Sequence, residues 1–233
     1  PIWVLAIAVS AANVGISLLS PAIPQLRDDL MVTSDEAQLV LSAFLIMLGV
    51  GQLIAGSLSD RIGRRPVLVY GSLLFLLSGL GALFSTSIEM LVVMRIFQGL
   101  GAATCMAMGR VIISDSFQRA EAGRQMSTIT MFQSVVPLLG FAFGGVMADL
   151  VGWRGSVGLM VVTAAIVFLG TSLLLAESRD PSIKPVPASR IIVVYGQLLV
   201  TPLFIANAMM TATVTAVFFS MGGFLPYEFK RLG

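Results

Sequence analysis

Five stretches of this chain, at 2–24, 37–58, 67–86, 155–176 and 200–225, contain no charged residue at all. Two more, 89–112 and 125–149, hold only Glu89, Arg95, Arg110 and Asp149 between them. A helix needs roughly 20 apolar residues to cross a bilayer, so each of the seven is long enough to span one. In lipid a helix satisfies its own backbone, whereas an open sheet cannot. No stretch alternates apolar and polar residues in the manner of a membrane β-barrel strand. Seven spans take about 140 of the 233 positions and leave no room for a sizeable soluble domain. The composition agrees, with 11% charged residues against about a quarter in soluble domains. Mean hydropathy is +0.95. An ordinary soluble enzyme, a disulfide-rich secreted domain and a disordered chain are excluded.

The remaining totals narrow the chemistry. Net charge is +2, too small to suggest a nucleic-acid partner. The absence of histidine removes His-based metal sites, triads and proton relays, and no cofactor is expected. Cys105, the only cysteine, sits in an apolar run as a small packing residue. The start at Pro1, already apolar and without Met, reads as a truncation.

Basic residues sort by loop. One set of loops is assigned Arg61, Arg64, Arg65, Arg110, Arg119, Arg124, Arg179, Lys184 and Arg190. The opposite set has Arg27, Arg154, Lys230 and Arg231, with Asp28, Asp29, Asp35 and Glu36 beside the first. The positive-inside rule makes the first set cytoplasmic, which puts the N-terminus inside. That orientation argues against a seven-span receptor, whose N-terminus lies outside. The stretch AESRDPSIKPVPASR, residues 176–190, is rich in proline and mixed charge and reads as a linker. The expected division is a six-helix transmembrane domain at 1–176, a cytoplasmic linker at 177–195 and a further helix at 196–233.

Residues 56–66 read GSLSDRIGRRP, a tight turn between the second and third spans. Gly56 and Gly63 permit close helix approach and positive φ, Asp60 can pair with a cation, and Arg61, Arg64 and Arg65 suit anionic headgroups. A positive-inside loop with glycines would have the same composition. The full pattern is more specific: it resembles the major facilitator superfamily signature G-x-L-[AS]-D-R-x-G-R-[RK] at every defined position. GQLIAGSLSDRIGRRPVLVYG as a whole is similar to the drug:proton antiporter branch, the bicyclomycin- and chloramphenicol-resistance-like exporters. The resemblance implies a cytoplasmic latch in which Asp60 and the loop arginines pair with neighbouring helix ends. Arg64 or Arg65 with Asp115 is the pairing available in this chain, and the resemblance adds a partner from a second half.

In the fourth span, Arg95–Ala103 reads RIFQGLGAA. Arg95 lies roughly 9 Å into the span, where a guanidinium needs polar partners or must snorkel. Two readings stay open: an anchor at the outer interface, or an arginine facing a central cavity with Gln98 beside it. The segment resembles R-x-x-Q-G-x-G-A-A of the same family, which implies a part in proton coupling for Arg95 and Gln98. Gly101, Cys105 and Gly109 form a small-residue packing face. In the fifth span, Pro137–Gly145 reads PLLGFAFGG. Gly140 and Gly144 give a GxxxG contact, and Pro137 removes a backbone donor and kinks the helix. The segment resembles the antiporter motif P-x-x-[AG]-P-x-x-G-G at Pro137, Gly140, Gly144 and Gly145, with Phe141 in place of the second proline. Gly152–Arg154 and Ser20–Pro24 also resemble family segments.

The resemblance implies an all-α polytopic membrane protein: the N-terminal six-helix bundle of a major facilitator fold plus a seventh span, a truncated twelve-helix transporter. The expected activity is proton-coupled multidrug efflux by alternating access in a bacterial inner membrane. Its partners are then a lipophilic drug, protons, the lipid bilayer and a missing C-terminal half. Because polar groups are costly in a span, Asn13, Gln52, Gln98 and Gln133 are the cavity-lining candidates, with Met47 and Phe132 as apolar ones. No carboxylate lies near the middle of a span. Asp60, Asp115 and Glu177 mark one set of ends, and Glu89 and Asp149 the other. The coupling acid therefore belongs to the missing half, with Asp149 the best placed in hand, or the protein is a facilitator. A facilitator or symporter of sugars or other metabolites is the rival on the same fold, and a receptor or membrane-interaction module the rival from another class. No catalytic constellation is present.

Overall fold

The computed structural model describes residues 1–179, 188–210, 212, 213 and 216. The chain divides into two compact units, Pro1–Ile183 and Lys184–Gly233. In the first, helix α1 (Ile2–Ser17) is followed by a 3₁₀ turn over Ser20–Ala22 and by α2 (Ile23–Leu30). Then come α3 (Ser34–Ile62), α4 (Arg64–Leu83), α5 (Ile88–Ser116), α6 (Arg119–Val151) and α7 (Trp153–Leu174). Among the described residues, six helical segments are long and apolar enough to cross a membrane, with α1 and α2 counted as one.

Local chemistry sets the boundaries. Pro21 and Pro24 fall in the first turns of the 3₁₀ and α2 segments and divide them from α1. Helix α3 opens on a capping box: Thr33 Oγ1 accepts from the Glu36 amide (3.3 Å), and Glu36 Oε2 accepts from the Thr33 amide (2.8 Å). Ser87 caps α5 by accepting from the Met90 amide. Gly63 (φ 107°) and Gly152 (φ 83°) end α3 and α6. Helix α6 runs continuously through Pro137.

Helix α5 is central and packs against α1, α3 and α4. Its small-residue stripe serves two neighbours. A Cβ on Gly101 would meet the Phe75 amide nitrogen of α4 at 2.6 Å, whereas one on Gly109 would overlap Val9 of α1. Cys105 between them is buried. The apolar window of α1 is 78% buried, but those of α3 and α6 are only 22% buried. Helices α3 and α6 thus each press one narrow stripe on the bundle and leave the rest of their surface open.

In the second unit, α8 (Ala188–Leu199) begins inside the stretch expected to be a linker over 177–195. The sequence explains it: Pro187 is the last proline before Ala188, and no breaker follows until Gly196. Residues 202–210 are helical again. The rest of the expected seventh span, beyond 216, lies outside the described residues.

Candidate functional site

The Gly56–Pro66 turn, at the basic end of the unit, is built around Arg64. As the first residue of α4 it reaches back across the turn. Its Nε donates to Asp115 Oδ2 (3.0 Å), and its Nη1 donates to Ser59 Oγ (2.7 Å) and to Asp60 Oδ1. Arg64, not Arg65, is therefore the partner of Asp115. Arg65 Nη2 instead donates to the Ser172 carbonyl (2.8 Å) in the last turn of α7, where carbonyls lack intrahelical donors. Arg61 is exposed, and its own carbonyl accepts from Arg179 Nη1 (3.0 Å).

Gly63 is required twice, by its left-handed φ and by space: a Cβ there would sit 2.5 Å from Glu177 Oε2. Gly56 differs from expectation. It has no positive φ, and a Cβ on it would meet nothing within 4 Å. Glu177 was visible in the sequence only as an acid at a helix end. Its carboxylate caps α4, accepting from the Arg64 amide (2.9 Å) and the Arg65 amide (3.3 Å), and from the Ser178 and Arg179 amides. Burial pushes this carboxyl up, but the amides of Arg179, Arg64, Arg65 and Ser178 together outweigh it and hold the group below the usual 4.5.

Arg95 is fully buried inside the bundle, neither at the outer interface nor on an open face. Its Nε donates to the Val40 carbonyl of α3 (3.2 Å) and its Nη2 to the Gly15 carbonyl of α1 (2.7 Å). Its Nη1 donates to Gln98 Oε1 (2.6 Å) and contacts Met160 Sδ of α7 (3.7 Å). The guanidinium lies 4.1 Å from the Phe44 ring centroid. One side chain on α5 thus ties α1, α3 and α7, and among the described residues it does so with neutral partners only. Gln98 is buried too, its Nε2 donating to Met160 Sδ (3.0 Å), so it lines no open cavity in this unit. The reason is tertiary: α3 closes over this part of α5. A Cβ on Gly99 would lie 2.5 Å from the Phe44 carbonyl oxygen, and one on Gly51 would lie 2.7 Å from Ala103 Cβ.

Further along, the same side of α5 opens. Met106 is half-buried and Arg110 exposed. Gln52 Nε2 of α3 contacts Met106 Sδ (3.6 Å). Arg110 Nη2 donates to Gln133 Oε1 of α6 (3.0 Å). Gln133 Nε2 donates to the Val9 carbonyl (3.3 Å), and Asn13 Nδ2 donates to the Gln133 carbonyl (3.0 Å). Asn13, Gln52 and Gln133 therefore fall on one polar band across α1, α3, α5 and α6, joined by Met106 and Arg110. Arg110, grouped by the positive-inside pattern with the loop arginines, lies within α5. Met47 is half-buried and Phe132 exposed.

The segment Pro137–Gly145 packs on α1. A Cβ on Gly140 would overlap Ser17 Oγ, and one on Gly144 would overlap the Leu18 carbonyl. Pro137 is buried, and Gly145 has ordinary space around it. At the opposite end, Asp29 accepts from Trp153 Nε1 (3.1 Å) and lies 3.8 Å from Arg154. Asp149 Oδ1 contacts Gln25 Nε2 (3.5 Å), also at that end. Among the described residues no cluster of His, Cys, Asp or Glu could hold a metal ion.

Comparison with known proteins places the chain in a family. The chain is 32% identical over 172 residues to a chloramphenicol resistance protein of Pseudomonas aeruginosa, covering 72% of this chain and 38% of that protein. It is 30% identical over 194 residues to multidrug resistance protein D of Escherichia coli K12, covering 83% and 48%. The chain thus spans about half the length or less of these curated relatives. Its fold matches a solved peptide transporter POT with a TM-score of 0.69 at 17% identity, over 98% of this chain and 50% of the other. It also matches the proton:xylose symporter XylE with a TM-score of 0.64 at 18% identity, over 76% and 45%. The Major Facilitator Superfamily model matches residues 5–232, and the chain therefore belongs to that family of multi-pass membrane transporters, which are not enzymes.

Proposed function

We propose that this chain forms the N-terminal half of a proton-coupled multidrug exporter in a bacterial inner membrane. The observation that carries the reading is the polar band Asn13–Gln133–Arg110–Met106–Gln52. Polar groups on an otherwise apolar helical face are costly against lipid and fit one wall of a substrate cavity. Similarity to two drug-resistance proteins supports lipophilic compounds as the substrates. In this reading a second half supplies the opposite wall and the coupling carboxylate, and the two halves rock against each other. Among the acids here, Asp60 and Asp115 are held by Arg64, and Glu177 caps α4, which leaves them roles in holding the turn. Arg95 and Gln98 act in coupling through the helices they tie together. The turn at Gly56–Pro66 faces the cytoplasm and holds one state of the cycle.

The test uses the full-length transporter in proteoliposomes. An imposed pH gradient drives efflux of a lipophilic dye, and the dye's flux collapses with a protonophore. Sugar transport without dye transport overturns the substrate class, and dye flux indifferent to the pH gradient overturns the coupling. The present chain alone, as one wall of the cavity, gives no flux. Labelling of a cysteine placed at Arg61 from the cytoplasmic side only supports the orientation, and labelling from outside refutes it.

A further inference from the structure

Two arginines lie within α5, and they are held in opposite ways. Arg95 spends its donors inside the bundle, on Val40, Gly15, Gln98 and Met160. Arg110 is exposed, and its hydrogen bond among the described residues is the one to Gln133 Oε1. The nearest acid along the helix, Asp115, is occupied by Arg64. Arg95 is satisfied by several neutral acceptors, but Arg110 has one among the described residues, and its other N–H groups can meet water or an anion.

It is also held in place. Gln133 donates to the Val9 carbonyl, which leaves its Oε1 turned to Arg110. Gln133 lies about 21 Å along α6 from Arg119, at 1.5 Å per residue, so the contact draws the guanidinium along the helices and away from the basic end. Arg110 could have extended toward headgroups from its place two turns before Ser116, and it does not. Met106, one turn away on the same side of α5, provides an adaptable apolar surface beside it.

We propose that Arg110, held by Gln133, is a specificity-determining site that takes the carboxylate or similar anionic group of an amphipathic substrate. The apolar body of the substrate lies along Met106 and the exposed surfaces of α3 and α6. This rests on the transporter reading and adds a charge class to it: the transporter discriminates in favour of acids over their neutral analogues. Two or more N–H donors of one guanidinium can meet a carboxylate side by side, which an ammonium cannot do.

The experiment uses the full-length transporter in detergent and in proteoliposomes, with 1-naphthaleneacetate and its methyl ester as a matched pair. Binding is read by displacement of a lipophilic dye. The wild type is expected to bind the acid more tightly than the ester. Arg110→Gln weakens acid binding about ten- to a hundredfold, the loss of a charge-assisted contact, and leaves the ester within about twofold. Arg110→Lys recovers part of the acid affinity. Gln133→Leu, which keeps the charge and removes its support, weakens the acid by a smaller factor and covers the case in which Arg110→Gln does not fold. Equal binding of acid and ester by the wild type, or equal loss of both in Arg110→Gln, overturns the proposal. So does a variant that loses thermal stability while its preference between acid and ester persists, because the complement of Arg110 is then a carboxylate of the second half. Dye transport that continues while the acid preference is absent sinks this site alone, whereas absence of flux for dye, acid and ester alike sinks the transporter reading.

Discussion

Replacing Gln98 by leucine, alone and together with Arg95→Met, tests how the buried arginine is held. The structure assigns the Arg95 guanidinium neutral acceptors at Val40, Gly15, Gln98 and Met160, and the Phe44 face 4.1 Å away. The shortest of these contacts is to Gln98 Oε1, at 2.6 Å. Gln98→Leu removes that charge-assisted bond and keeps the cation buried, because the Phe44, Gly15 and Val40 contacts remain. The expected cost is about 2 kcal/mol, from the 1.5–3 kcal/mol typical of hydrogen bonds to charged groups. The Met160 contact adds little, since a thioether is a weak acceptor. Arg95→Met with Gln98→Leu removes the charge and its acceptor together. The Val40 carbonyl keeps its helical partner, whereas the Gly15 carbonyl, in the last turn of α1, loses the donor that Arg95 supplied and offsets part of the gain. Its stability is expected to equal or exceed that of Gln98→Leu by about 1–3 kcal/mol. Equilibrium unfolding of the purified protein in mixed micelles measures all four corners of the cycle. A double variant less stable than Gln98→Leu refutes the reasoning, because Arg95 would then stabilise the bundle through something other than this hydrogen-bonded set. In the full-length transporter the same double variant is expected to fold and to lose coupled transport.

Three further outcomes follow from the same geometry. Gly144→Val, which drives a side chain into the Leu18 carbonyl, is expected to cost about 1–3 kcal/mol, while Gly145→Ala, 3.9 Å from Pro21, stays within about 0.5 kcal/mol; thermal unfolding compares them. The carboxyl of Glu177 is lowered on folding, so its contribution is complete above the ordinary carboxylate value near 4.5 and is lost as pH falls through the lower folded value. The melting difference between wild type and Glu177→Gln is therefore present at pH 7 and shrinks below about pH 4.5. Arg64→Met leaves Asp60 and Asp115 without their shared cation, and Arg64→Lys restores only part of the loss, because one ammonium cannot reproduce the forked contacts to Ser59, Asp60 and Asp115; a double-mutant cycle with Asp115→Asn reads the coupling.

Much of this protein was legible in the chain alone. Runs such as 37–58 and 155–176 lack charge for the length of a bilayer, so helices there follow from the cost of unpaired backbone in lipid. Gly63 ends its helix with a positive φ, a local property that the sequence of the turn already marked. The pairing of Asp60 with Arg64 does not follow from helical spacing, because Gly63 breaks the helix between them and Arg64 reaches back across the turn. Partnerships across the fold do not follow from spacing. Whether Arg64 or Arg65 meets Asp115, that Glu177 caps a helix begun at Arg64, and that Arg95 finds Gly15 and Val40 all depend on which helices pack beside α4 and α5. The two arginines of α5 make the point most directly. Arg95 and Arg110 are one residue type on one helix, and no local signal separates them. Close packing of α3 at Gly99 and Ala103 seals the first, whereas the second, two turns beyond, lies exposed. The sequence determined that this chain folds as membrane helices with a family-specific turn. Only the tertiary structure decided which of the two arginines is sealed inside the bundle and which is left exposed, because desolvation and partner choice are set by the neighbours a helix acquires on packing.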